Sequence, residues 1–204
     1  KLPLEIFENR FLKRSIDLLF SFCVFIFIFS WLFPIIILLI RIESKGATIF
    51  KQNREGIHGE EFVCYKFRSM YKSESLDNGH TKRNDNRVTK IGSFIRKTSI
   101  DELPQFINVL LGQMSVVGPR PHMNEHSIKF DKEVRNYMKR KSVKPGITGL
   151  AQISGYRGEI QKKSDIENRV RLDVFYIENW SFLLDLKIII QTALNIFKGD
   201  EKAY

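Results

Sequence analysis

Two cysteines in 204 residues argue against a disulfide framework and suit a reducing compartment. Cys23 and Cys64 lack metal-ligand spacing, and Cys23 lies inside an apolar run. Histidine is almost as scarce: His58, His80, His122 and His126 show no zinc spacing, so surface positions are expected for all four. Internal repeats and low-complexity tracts are missing too, which excludes repeat architectures. Acidic residues are the minority charge, 23 against 33 Lys plus Arg. The chain therefore favours anionic partners, whether nucleic acid, anionic lipid or phosphorylated substrates.

Charge is also missing locally. Between Asp17 and Arg41 lie 23 residues without a formal charge, LLFSFCVFIFIFSWLFPIIILLI. As a helix this run reaches about 34 Å, enough for a hydrocarbon core. It is too long for a signal-peptide core, and no small-residue cleavage site follows. Both flanks are basic, with Arg10, Lys13 and Arg14 before and Arg41, Lys45, Lys51 and Arg54 after. A single crossing predicts a one-sided bias; a helix that bends and returns predicts this symmetry. Pro34 removes a backbone hydrogen bond, and Ser30 can bond to backbone, so a kink fits as well. On the residues alone both readings stand.

What remains is long enough for one domain with a core. Residues 1–15 read as an amphipathic lead-in, 16–43 as the membrane helix and 44–204 as the remaining domain. The chain opens on Lys1 without an initiator methionine, as expected of a piece of a longer protein. ATIF and EFVCYKF, around EGIHGE, predict a small β-hairpin. The polar stretch 72–90 predicts a loop, and 91–111 predicts helical material ended by Gly112. Helical stretches are also expected at 124–142 and 164–180. The tail WSFLLDLKIIIQTALNIFKG fits either an interfacial helix with Trp180 at the bilayer surface or a core-packing one. The fold class is α+β, mostly helical.

RKTSIDELPQ, residues 96–105, contains the most informative pair, Asp101 and Glu102. Carboxylates beside Arg96 and Lys97 stay ionised at neutral pH, and an ionised carboxylate serves as a nucleophile or a metal ligand. Neighbouring helical residues point about 100° apart, so the two carboxylates take different jobs. Ser99 and Glu102 also fit a capping box, although Pro104 favours a helix starting near Asp101. Lys66 and Arg68 share a strand face and suit either a diphosphate or solvent. In VVGPRP, Gly118 and the prolines form a stiff turn presenting Arg120. In KPGITG, Gly146, Gly149 and Thr148 fit an anion cradle or a plain turn.

Taken in order, KRSIDL, FKQNREGIHGEEFVCYKFRSM, DNRVTKIGSFIRKTSIDELPQFINVLLGQMSVVGPRPHM, KPGITGLAQISGYRG and NWSFLLDLKIIIQTAL closely resemble the bacterial sugar transferases. These are monotopic phosphoglycosyl transferases acting on polyprenyl phosphate. The GYRGE stretch and terminal KAY are most similar to the glucose- and galactose-phosphate transferases, whose C-terminal catalytic part this chain matches. The resemblance implies a two-step exchange. Asp101 would attack the β-phosphorus of a UDP-sugar and release UMP, and undecaprenyl phosphate would then take the sugar phosphate. It implies Glu102 as the Mg²⁺-associated carboxylate, and Lys66, Arg68, Arg96, Arg120, Thr148 and Gln152 as substrate-binding residues. It also implies a re-entrant helix, a cytoplasmic-face catalytic domain on the inner membrane, and contact with membrane lipids. A homo-oligomer is compatible, and no nucleic acid is expected. The family's smaller members break this helix at a Ser-Pro pair; here Trp31 follows Ser30 and Pro34 comes a turn later. The rival reading is a non-enzymatic, membrane-anchored basic binding protein.

Overall fold

The computed structural model describes residues 1–71, 85–158, 160 and 162–198, with side chains for all of these except 124–126, 197 and 198. The expected loop at 72–90 lies outside the described residues over 72–84, as do His80, Glu159 of GYRGE and the terminal KAY.

Apolar character sets up the longest element, a continuous helix from Phe7 to Glu43. It consists of α1 (Phe7–Val24), a π turn (Phe25–Phe29) and α2 (Ser30–Glu43). The stretch expected as a separate lead-in thus holds one 3-10 turn, Pro3–Glu5, and the first turns of this helix. Buried positions step through Lys13, Asp17, Ser21 and Val24, then Phe29, Ile36 and Ile40. Steps of three and four follow one face of an α-helix. The step of five from Val24 to Phe29 coincides with the π turn, whose extra residue returns the stripe to the same side. Ser30 Oγ and Trp31 Nε1 donate to the Ile26 and Phe27 carbonyls, each at 2.7 Å. The irregularity expected around Pro34 is therefore displaced one turn upstream. The opposite face, including Leu19, Phe22, Phe27, Trp31, Leu38 and Ile42, is exposed.

Both ends of this helix are fixed to one body. Near the start, Lys13 pairs with Asp185 at 2.8 Å. Arg14 donates to the carbonyls of Val109 and Leu110, closing the end of α4 (Gln105–Leu110), where a cation complements the helix dipole. At the far end, the Glu43 carboxylate accepts from the backbone N–H groups of Lys90 and Ile91 at the start of α3 (Lys90–Lys97).

Strands β1 (Ile49–Glu55) and β2 (Glu61–Phe67) pair antiparallel from Ile49↔Phe67 to Glu55↔Glu61, the hairpin read from sequence. Strands β3 (Ser115–Val117) and β4 (Gly146–Thr148) pair in parallel. The remaining helices are α5 (Asn124–Glu133), α6 (Leu150–Ile153), α7 (Lys163–Glu178) and α8 (Phe182–Lys198). The main core gathers Val24 and Phe29 with Phe62, Cys64, Phe106, Val109, Met114, Tyr176 and Ile188. Trp180, expected at a bilayer surface, is buried and donates its Nε1–H to Asp185. The indole needs a polar partner wherever it is desolvated, and Asp185 supplies one inside the body. Helix α8 unites both readings of the tail: Asp185 and Ile188 pack inward, while Leu183, Ile190 and Leu194 are exposed.

Candidate active site

The acidic pair does not start a long helix. Ser99 adopts the left-handed region (φ 59°), a 3-10 turn spans Ile100–Glu102, and Pro104 immediately precedes α4. Pro104 has no N–H to satisfy and a fixed φ suited to a helix entry, so it begins a second helix rather than sitting inside the first turn of one. Ser99 makes no side-chain cap, and its Oγ is buried without a partner. The capping box is therefore not formed, and Glu102 is released for another role.

That role is visible in its partners. Glu102 Oε1 accepts from Lys66 Nζ at 3.1 Å and from the Arg120 guanidinium at 2.6 Å, while Oε2 lies 3.4 Å from Arg157. Three segments meet at this carboxylate: β2, the GPRP loop and the segment after α6. Asn108 sets the first of them, donating to the Val63 carbonyl and accepting from the Tyr65 N–H. The Arg120, Lys66 and Arg157 charges hold the Glu102 carboxyl well below the usual range despite its burial. Asp101 is different. Half-buried, it accepts no hydrogen bond and forms no ion pair among the described residues. Burial, then the Glu102 charge, push its carboxyl up to about 6. Two adjacent carboxylates thus differ as a clamped one and an open one.

One expected residue is placed elsewhere. Arg68 donates to the Ser44 and Lys45 carbonyls and to Ser44 Oγ; it closes the end of α2 and is not at the carboxylates. Arg96 lies in the field of Asp101, with burial lowering its guanidinium first. Thr148 and Gln152 line, together with Glu102, a cavity of about 290 Å³. There Thr148 bonds Thr192 at 2.7 Å. Gln152 donates to the Ile147 carbonyl and leaves Oε1 buried without a partner.

The KPGITG glycines serve close backbone packing rather than an anion cradle. A Cβ at Gly146 would lie 2.0 Å from the Gly118 N, and one at Gly149 2.3 Å from the Gly118 O. The GPRP and KPGITG loops are instead joined backbone to backbone, Gly118 N–H to Thr148 O and Gly146 N–H to Pro119 O, each at 2.9 Å. Behind them, Arg140 donates to the Arg120 carbonyl at 2.8 Å and to Asp173 at 2.6 Å. His122 is not at the surface. Its Nδ1 faces the Tyr137 hydroxyl at 2.7 Å, and burial followed by the Arg140 charge pushes its pKa well down. It is therefore a neutral member of the support that fixes Arg120.

Sequence reasoning missed Arg157, Asn108 and Arg140. Arg157 stands within the quoted GYRG stretch, so the motif held the signal. Asn108 and Arg140 sit in apolar and basic runs where only contacts distinguish them. Glu102, expected to hold Mg²⁺, has three cations around its oxygens. Among the described residues no group of three or more His, Cys, Asp or Glu side chains is placed to hold a metal.

An open carboxylate thus lies beside one held by three cations, on a body carrying a long apolar helix. Residues 8–199 match the bacterial sugar transferase family, and the chain belongs to it. It is 48% identical over 192 residues to the UDP-glucose:undecaprenyl-phosphate glucose-1-phosphate transferase of Klebsiella pneumoniae, covering 94% of this chain and 40% of that protein. It is 42% identical over 191 residues to the UDP-N-acetylgalactosamine-undecaprenyl-phosphate N-acetylgalactosaminephosphotransferase of Aeromonas hydrophila, covering 93% of this chain and 44% of that protein. It is 39% identical over 189 residues to the exopolysaccharide production protein PSS of Rhizobium leguminosarum bv. phaseoli, covering 90% of this chain and 94% of that protein. The chain thus spans under half the length of the first two relatives.

Proposed function

We propose that the chain is a phosphoglycosyl transferase that moves a hexose-1-phosphate from a UDP-sugar, UDP-glucose first, to undecaprenyl phosphate. The product would initiate an exopolysaccharide, capsule or O-antigen. The observation that carries this reading is the unequal carboxylate pair: Glu102 held by Lys66, Arg120 and Arg157, Asp101 left open. In the first half-reaction an Asp101 oxygen forms a bond to the β-phosphorus, the bond from that phosphorus to the bridging oxygen breaks, and UMP departs. In the second, an oxygen of the lipid phosphate bonds to the same phosphorus and the Asp101 carboxylate is released. With a pKa of about 6, Asp101 is roughly nine-tenths ionised at pH 7. Its charge needs no proton acceptor before attack. Lys66, Arg120 and Arg157, fixed on Glu102, stand where charge builds on the phosphoryl oxygens, and preorganised cations are effective there.

Mg²⁺ takes few protein carboxylates and completes its shell with phosphates and water, which suits so small an acidic set. When bound, it would offset charge on the transferring phosphoryl group. Glu102 is the residue proposed to hold it, alongside its three cations, so that Asp101 stays free to attack.

The apolar outer face of Phe7–Glu43 and the exposed apolar residues of α8 support insertion into one leaflet. Both ends of the long helix are tied to the same body, which favours a helix that enters and returns. In this reading the body sits at the cytoplasmic face of the inner membrane. Relatives' names divide between glucose and N-acetylgalactosamine donors; glucose is our first choice and galactose our second. The test is Mg²⁺-dependent UMP release across a panel of UDP-sugars, with and without undecaprenyl phosphate. Asp101→Asn is expected to lose at least about 10³-fold. Full turnover by that variant would remove the mechanism.

A further inference from the structure

Strand β3 belongs to a two-stranded sheet and pairs with β4 at Ser115↔Gly146 and Val117↔Thr148. Val116 lies between the paired positions and turns its N–H away from β4. It is 4% exposed, and a buried N–H without an acceptor is costly. Asp17 of α1 supplies the acceptor. Its Oδ1 takes the Val116 N–H at 2.9 Å and the Ser115 hydroxyl at 3.0 Å. From α7, the Tyr176 hydroxyl faces the Val117 carbonyl at 3.1 Å. Asp17 is itself buried and is the last charged residue before the apolar run.

We infer that Asp17 is a positioning residue for the transfer: from the apolar helix it fixes β3, and through β3 it fixes the place of Arg120 at Glu102. The inference rests on the transferase reading. The route is short, because the strand leads straight into Gly118, Pro119, Arg120 and Pro121. Two prolines with fixed φ leave this loop little slack, and Gly118 and Pro119 are bonded to the backbone of Thr148 and Gly146. A shift of β3 is therefore passed to the Arg120 guanidinium, 2.6 Å from Glu102. Cations that meet developing phosphoryl charge are effective only when already in place, and a displacement of about 1 Å can cost on the order of 100-fold in rate. Lys13 and Arg14 tie the same helix to α8 and α4. Of these three charged residues, Asp17 is the one that reaches the strand entering the Arg120 loop, so the seat of the apolar helix bears on the reacting site.

A double-mutant cycle tests this on isotope exchange between UMP and UDP-glucose without acceptor, followed for hours so that slow variants stay measurable. Asp17→Leu removes the acceptor, Asp17→Asn keeps an oxygen for the Val116 N–H, and Arg120→Ala removes the group being held. Asp17→Leu is expected to lower the maximal exchange rate about 10- to 100-fold. Asp17→Asn is expected to lower it less than about threefold, and both variants to keep KM for undecaprenyl phosphate in the full reaction within about twofold. On an Arg120→Ala background, Asp17→Leu should cost less than about threefold more, since residues acting as one unit are not additive. Losses that multiply, an Asn variant as slow as the Leu variant, or a raised KM for the lipid would each overturn the proposal and leave Asp17 as a helix anchor. Where a thermal melt shows Asp17→Leu unfolded, Ser115→Ala takes its place in the cycle. It deletes one of the two bonds, with an expected loss of about three- to tenfold; an unchanged rate, or a loss that multiplies with that of Arg120→Ala, overturns the proposal. No exchange in the wild-type protein would instead fault the transferase reading.

Discussion

Asp101 and Glu102 are neighbours in sequence, yet their surroundings give them opposite protonation behaviour. Glu102 is 5% exposed and ionised by its three cations; removing one partner of such a buried set typically costs about 3–5 kcal/mol. Asp101 has no such partner, and burial raises its pKa to about 6. Donor-side turnover is expected to be level above about pH 7 and to fall about tenfold per unit below pH 6, as a pH profile of acceptor-free UMP–UDP-glucose exchange would show. The stability sign runs the other way. A raised carboxylate pKa means that the folded protein binds the proton more tightly than the unfolded chain, so the charged form is unfavourable above about pH 6. Asp101→Asn is therefore expected to be more stable than wild type at pH 7.5, by roughly 2–4 °C in Tm for each kcal/mol relieved. The gain should disappear as pH falls towards the unfolded value near 4. Thermal melts at pH 7.5 and pH 4 check this, and a less stable variant at pH 7.5 would contradict the assigned environment.

Among the elements, the Phe7–Glu43 helix carries the proposed relation to the bilayer. Its buried stripe persists from Lys13 to Ile40 because the π turn at Phe25–Phe29 absorbs the phase error. Anchors at Arg14 and Glu43 bind its two ends to α4 and α3. Single cysteines placed at Leu12 and Ile42, both exposed, in a Cys23→Ser background are expected to react with an impermeant maleimide from the same side of sealed vesicles. Reaction from opposite sides would establish a crossing and remove the re-entrant reading while leaving the chemistry untouched. The β1–β2 hairpin was legible because its alternation and turn residues are local. The π turn was not, because it answers to packing along the whole helix.

For the whole molecule, legibility follows the range of the interactions. Carboxylates beside a proline, a stiff loop carrying Arg120 and Lys66 on a strand are each encoded within a few residues. Their convergence at Glu102 joins segments 36 and 18 residues away. Arg68 shows the converse: its strand position suggests phosphate binding, but the Ser44 and Lys45 carbonyls just past α2 take its guanidinium. His122 reads as a surface residue and Trp180 fits either a bilayer surface or a core, since burial of a polar ring depends on partners, Tyr137 and Asp185, that only the packed structure brings to it. The family match covers residues 8–199, so all of these long-range contacts lie within it.

The most direct measurement incubates the protein with UDP-glucose alone, quenches in acid and maps the peptides by mass spectrometry. The account predicts one phosphohexosyl group on Asp101, lost when undecaprenyl phosphate is added before the quench. An unmodified Asp101 in protein that turns over normally, or an adduct on another residue, would contradict it.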